Sequence, residues 1–310
     1  MGGTPFAAEG SQVAPLQRGW SMIPLILQTL TYAAPVLLAA LGAVFAERAG
    51  VVNIGLEGLM LTGALAAALI TAATGQPYLG VLAAALAGVA LAAIFALFGI
   101  GLKRDQVIVG TTLNFLALGL TGVLYRSVKT MGEIKSLPTL FGDGSSAINA
   151  LTLFALLCVP VAQWLLFRTR LGVMVRSAGE KPEAVAAAGV FVNRLRTVTV
   201  LATGALCGMG GGALSIGIGN TFTEEMTGGR GFIALAVVVF GRWNPLGALG
   251  AALIFAAADV WQTRLQAQGT LHIPYPLFLM IPYVLTLLAL AIRGAKVKPP
   301  AHLGEPFEQG

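Results

Sequence analysis

Eighteen consecutive residues, 82–99, read LAAALAGVALAAIFALFG, with no charged side chain among them. A run like this constrains the chain more than any motif in it. The apolar core of a bilayer is about 30 Å thick, and a helix needs about 20 largely apolar residues to cross it. Backbone N–H and C=O groups inside lipid must be paired within the protein, which leaves helices or closed barrels. Barrel strands alternate with period two. Neither this run nor LTLLALAI at 285–292 alternates. The expected fold class is therefore all-α, a polytopic membrane helical bundle.

Nine apolar segments can be placed: 22–45, 51–74, 78–100, 106–125, 149–167, 195–218, 231–241, 245–261 and 274–292. Residues 231–241 make only about 16 Å of helix, too short to cross alone. They form either a half helix or part of a longer one, so eight to nine segments are expected, at least one of them short or broken. The domain reading is a tail at 1–21, a transmembrane domain at 22–293 with a basic loop at 168–196, and a tail at 294–310. Residues 1–19 lack a basic n-region, and the first apolar segment exceeds a signal h-region, so a retained first helix is expected.

Composition removes several classes. Hydrophobic residues make up 56% of the 310 and Asp, Glu, Lys and Arg only 10%, against about 25% charge in soluble domains. That excludes an ordinary soluble enzyme, a disordered chain and a nucleic-acid binder, while a membrane enzyme stays open. Cys158 and Cys207 both sit in apolar runs and define neither a disulfide scaffold nor a metal site. Glycine is abundant, and Gly204, Gly208 and Gly212 form a GxxxGxxxG series. It reads as a close helix contact or as a loosened helix.

The net charge of +6 is concentrated. Arg168, Arg170, Arg176, Lys181, Arg194 and Arg196 fall in one stretch, opposed only by Glu180 and Glu183. Basic short loops favour the cytoplasm. Counting from this loop places 46–50 and 101–105 inside with it, and 75–77, 127–148 and 219–230 outside; Arg242 is inside if 231–241 and 245–261 each cross, whereas a re-entrant 231–241 would turn the tail outward, which Lys296 and Lys298 disfavour.

Catalytic parts are scarce. The sequence holds no G-x-x-x-x-G-K-[S/T], no H-E-x-x-H and no G-x-S-x-G. His272 and His302 have no companions at ligand spacing and read as solvated loop histidines. The informative residues are polar ones in apolar surroundings, which usually face the bundle interior or a watery path. Asn53 and Glu57, four apart, share a helix face. They line a conduit, or Glu57 pairs locally with Arg48. Asn114, with Thr111 and Thr112, makes a second patch, for a path or for interhelical hydrogen bonds. Asp259 is placed to pair with Arg264.

Residues 176–189, RSAGEKPEAVAAAG, predict a short helix on the inner face. Pro182 suits a first turn, Glu183 the positive helix end, the alanines favour helix, and Gly189 suits a stop. Such a helix is a docking element or a plain surface linker.

Three blocks carry a family resemblance. They are ERAGVVNIGLEGLMLTGA at 47–64, LGVMVRSAGEKPEAVAAAGV at 171–190, and EEMTGGRGFIALAVVVFGRWNPLGALGAAL at 224–253. In this order and spacing they resemble the permease subunit of a bacterial ABC importer, in the branch of ribose-type, branched-chain amino-acid and nucleoside permeases. NIGLEG at 53–58 and GRGFIALAVVVFGRWNP at 229–245 are most similar to the simple-sugar and nucleoside subgroup.

The resemblance implies roles. It makes Gly179, Glu180, Pro182, Glu183, Ala184, Ala188 and Gly189 the contact to an ATP-hydrolysing subunit. It puts Asn53, Gly55, Glu57 and Gly58 in a signature near the central path, with Asn114 as a further polar contact of path or bundle. Gly229, Arg230, Gly231 and Phe232 form another signature, with Arg230 at an outer edge. The implied partners are an ABC ATPase that binds ATP and magnesium, a second identical or homologous permease, an extracytoplasmic solute-binding protein and the lipid of a bacterial inner membrane. No cofactor is expected in this chain. The break at Asn244–Pro245 also fits an ion-coupled secondary transporter, although no repeat stands out.

Overall fold

The structure is a computed structural model, and it describes residues 22–129, 137–138, 149–268 and 298–308. Among these residues it contains helices and no strand. The helices are α1 Met22–Arg48, α2 Leu56–Thr74, α3 Pro77–Phe95, α4 Gln106–Lys129, α5 Ala150–Arg168, α6 Arg170–Glu180, α7 Pro182–Ala187, α8 Val192–Gly212, α9 Arg230–Phe240 and α10 Pro245–Gln268. Both α3 and α8 run on into a π-helical turn, Ala96–Gly101 and Ala213–Ile218. Seven helices are long and apolar enough to cross a membrane, and α9 is a shorter apolar one. The segment expected at 274–292 and His272 lie outside the described residues.

Local chemistry sets the boundaries. Pro77, Pro182 and Pro245 open their helices, where the missing N–H costs nothing. Asn149 caps α5 by accepting from Thr152 N–H, and Thr169 caps α6 by accepting from Gly172 N–H. Asp105 accepts from Val107 and Ile108 at the start of α4. Gly189 follows α7 with φ +81°, a left-handed stop that favours glycine.

The bundle is built around α8, which packs against α1, α2 and α3. The middle of α1 is buried all round, from Ala33 to Ala46 apart from the half-buried Phe45. Glycine brings α8 onto its neighbours: a Cβ on Gly88 would stand 2.0 Å from the Gly204 carbonyl oxygen, and one on Gly208 2.0 Å from that of Ala84. Gly204 and Gly208 of the GxxxGxxxG series thus make a backbone-to-backbone seam, Gly212 faces the side chains of Ala84 and Ala67, and α8 stays helical through all three. On the outside, Leu82, Leu86, Phe115, Leu157 and Trp164 are exposed. So broad an apolar surface is foreign to a water-soluble monomer and fits lipid.

The segments counted as inner gather at one end. Gly179 abuts Arg48, Gly50 abuts Arg196, and Lys103 pairs with Glu308. The segments counted as outer meet at the other: Arg126 pairs with Glu224, and Leu137 N–H donates to the Asn220 carbonyl.

Candidate functional site

The polar residues of the spans serve unwound backbone. The second helix was expected from residue 51, but the chain stays non-helical to Gly55. Irregular backbone at membrane depth is tolerated only when buried in protein, and Val51, Asn53 and Gly55 are buried. Three backbone donors here meet side chains. Val52 N–H donates to Gln106 Oε1 at 2.8 Å, Gly55 N–H to Asn53 Oδ1 at 2.8 Å, and Gly58 N–H to Asn114 Oδ1 at 2.8 Å. Asn114 Nδ2 returns a bond to the Ile54 carbonyl at 3.0 Å. Asn114 therefore tethers α4 to the start of α2. Thr111 and Thr112 do not join it, because their hydroxyls bond carbonyls of their own helix.

Glu57 does not pair with Arg48. Its Oε1 accepts from Gly229 N–H at 2.8 Å and its Oε2 from Gly231 N–H at 2.6 Å. The residue preceding α9 is Gly229, at φ +82° and without a side chain to cap the helix. Glu57 supplies that cap from α2, placing a negative group at the positive end of α9. The close approach requires Gly231, since a Cβ there would lie 2.3 Å from the Glu57 nitrogen.

Arg48 holds the opposite end of α9. Its Nε donates to the Trp243 carbonyl at 2.9 Å and its Nη2 to the Arg242 carbonyl at 3.3 Å, a cation against a helix C-terminus. Glu47, 4% exposed, accepts from Trp243 Nε1. The 11-residue α9 is thus gripped at both ends by residues of the 47–58 stretch.

Arg230, placed at an outer edge by the sequence, is half-buried. It pairs with Asp259 at 3.4 Å, so Asp259 does not pair with Arg264, which instead donates to Gln28. Phe232 is exposed, pointing away from the junction. Phe222 anchors the loop before α9, edge-on to Tyr125 at 5.0 Å.

At the end counted as inner, α6 and α7 form a hairpin. The short helix α7 was legible in the sequence, while α6 was read only as basic loop. Its buried positions Gly172, Val175, Ala178 and Gly179 recur at helical spacing, a signal masked by the arginines between them. Gly179 and Pro182 are buried, whereas Glu180, Glu183, Ala184, Ala188 and Gly189 are exposed. His302, partly exposed, is tied into the fold. Its Nδ1 lies 2.7 Å from Glu305, and its backbone N–H donates to the Gly179 carbonyl. Among the described residues no group of three metal-ligating side chains comes together.

A bundle of spanning helices with one half-length helix capped from within and a small hairpin at the basic end defines a polytopic transport protein. The chain matches the family described as Branched-chain amino acid transport system / permease component over residues 25–290, and it belongs to that family. It is a permease subunit of an ABC importer, a transport component rather than a catalytic one.

Among curated relatives it is 37% identical to the guanosine ABC transporter permease protein NupQ of Bacillus subtilis, over 92% of this chain and 97% of that protein. It is 32% identical to the nucleoside ABC transporter permease protein NupC of Lactococcus lactis, over 89% of this chain and 94% of that one. It is 38% identical to the putative glucose ABC transporter permease protein TsgC13 of Haloferax volcanii, over 78% of each. No solved structure matches.

Proposed function

We propose that this chain is the membrane-spanning subunit of an ATP-driven importer for a nucleoside or simple sugar in a bacterial inner membrane, with residues 22–293 as its transmembrane domain. The solute class is supported by the relatives whose printed names carry guanosine, nucleoside and glucose. Its partners are an ABC ATPase that binds ATP and magnesium, a second permease and an extracytoplasmic solute-binding protein.

The coupling role of the α6–α7 hairpin rests on one observation. Glu183 and Ala184 lie exposed on the short helix α7, with Glu180, Ala188 and Gly189 exposed at its two ends, while Gly179 before it and Pro182 in its first turn are buried. A helix with small exposed side chains and a buried root can seat in a partner's groove and pass a push inward. In this reading Asn53, Glu57 and Asn114, with Gly55, Gly58, Gly229 and Gly231, hold the bundle's polar junction, and the solute moves past it without tight binding.

Reconstitution tests the proposal. The chain is combined with a P-loop ATPase, a second permease and a binding protein encoded beside it, and ATP hydrolysis is followed across a panel of nucleosides and sugars. Stimulation by one solute, only through the binding protein, is expected. A well-folded chain that recruits no ATPase refutes the coupling reading.

A further inference from the structure

The segment 298–308 lies on the same face as the hairpin and touches several elements there. His302 N–H donates to the Gly179 carbonyl at 2.9 Å, at the end of α6. Gly304 N–H donates to the Gly50 carbonyl at 3.0 Å, just after α1. Asn193 Nδ2 reaches the Phe307 carbonyl at 3.4 Å from the first turn of α8. The Phe307 ring packs on the small cluster of Ala178, Val185 and Val192, which joins α6, α7 and α8.

At the centre is Arg196, 1% exposed. Its Nε donates to the Ala49 carbonyl at 3.0 Å and its Nη1 to the Glu305 carbonyl at 2.7 Å. Nη2 has no hydrogen-bond partner among the described residues and presses on Gly50, where a Cβ would stand 2.7 Å away. A buried guanidinium whose hydrogen bonds go to backbone carbonyls is unusual, because buried cations are normally paired; here the carboxylates of Glu305 and Glu183 act on its charge without bonding it directly. One of its two carbonyl partners belongs to the 298–308 segment.

The hairpin needs such support. The six-residue α7 buries only Pro182 and Val185. Elements with few buried contacts open at low cost.

We propose that residues 298–308 are a strap that fixes the α6–α7 hairpin to the inner ends of α1 and α8, with Arg196 as the positioning residue at its centre. The strap keeps the hairpin from swinging, so that displacement imposed on α7 reaches α1 and α8. Lys103–Glu308 adds an exposed ion pair at the far end, a weak contribution beside the backbone bonds. The functional half of the proposal rests on the coupling reading above, while the structural half does not.

The test uses the full chain in lipid nanodiscs and a chain ended after Ala301. Backbone hydrogen exchange is read over residues 172–190 without any ATPase. Exchange there is expected to quicken about tenfold or more in the shortened chain, with the middle of α1 and α8 little changed. Unchanged exchange over 172–190 overturns the strap. Where the shortened chain does not accumulate in the membrane, Phe307→Asp replaces it with the same expectation, and Phe307→Leu restores slow exchange. Arg196→Lys keeps the charge but loses the planar fork, and it too quickens exchange over 172–190; no change there removes Arg196 from the proposal.

The second arm adds the ATPase and measures solute moved per ATP hydrolysed. A fall of about tenfold without the strap is expected, on the order of one broken coupling contact. Faster exchange with unaltered coupling overturns the functional half. An intact chain that recruits no ATPase refutes the coupling reading and leaves the exchange result standing.

Discussion

Glu57 and Gly231 meet twice: carboxylate to N–H at 2.6 Å, and backbone against backbone where no Cβ could fit. The contact joins the first turns of α2 and α9, and it makes the cap of one helix a side chain of another. Hydrogen bonds to a charged group contribute about 1.5–3 kcal/mol each. Glu57→Ala should lower the unfolding free energy by about 2–4 kcal/mol in detergent, with two bonds lost and some solvent replacing them. Glu57→Gln should lose about half as much, keeping one acceptor. A thermal melt of purified protein reads both, and an unshifted melt for Glu57→Ala would remove the cap from the account.

The seam between α3 and α8 predicts a contrast between glycines. Gly88→Ala must push the Gly204 carbonyl away, and overpacking of that kind costs about 1–3 kcal/mol. Gly122→Ala in α4 meets nothing within 4 Å. It should be neutral or stabilising by up to about 1 kcal/mol from helix propensity. The melting point should fall for Gly88→Ala and stay level or rise for Gly122→Ala; equal shifts would mean the seam is not as close as described.

Trp243 and Glu47 form a third test. Trp243→Phe leaves the buried Glu47 side chain without its donor, which costs about 1–3 kcal/mol. Adding Glu47→Gln should recover part of that loss. The coupling energy in the double-mutant cycle is expected to be about 1 kcal/mol or more, and a cycle that sums to zero would contradict the bond.

The exposed face of α7 carries a prediction about coupling rather than stability. Glu183→Arg with Ala184→Trp should leave the melt within about 0.5 kcal/mol of the parent, as for exposed positions generally. Solute-stimulated ATP hydrolysis should be lost. Full uptake with normal ATPase association in that variant would sink the assignment.

The spans, the half helix, the small inner helix and the family were legible in the sequence because each is written locally, as an apolar run, a proline start or a glycine stop. The partners of the buried charges were not. Arg48 lies near Glu57 in sequence, yet it bonds the end of α9 nearly two hundred residues away. Asp259 was assigned a neighbour on its own helix and took Arg230 from another. Helical spacing shows which residues share a face but not which foreign helix that face meets. The resemblance blocks contained the answer in a form not read there: 47–64 holds both grips on α9, and 224–253 contains α9 itself. The strap left no sequence signal at all, because its bonds run largely through backbone groups.

The glycine seam bears on which parts of this protein can move. Side chains between helices can change rotamer and let one helix slip past another, but contacts of carbonyl against Cα leave nothing to rearrange. A shift of one residue along α3 or α8 would bring Cβ atoms into the space that Gly88, Gly204 and Gly208 leave empty. With Gly63 set against Gly208 and Gly211 against the Met60 carbonyl, α2 is seated on α8 in the same way, so α2, α3 and α8 resist sliding along one another as a block.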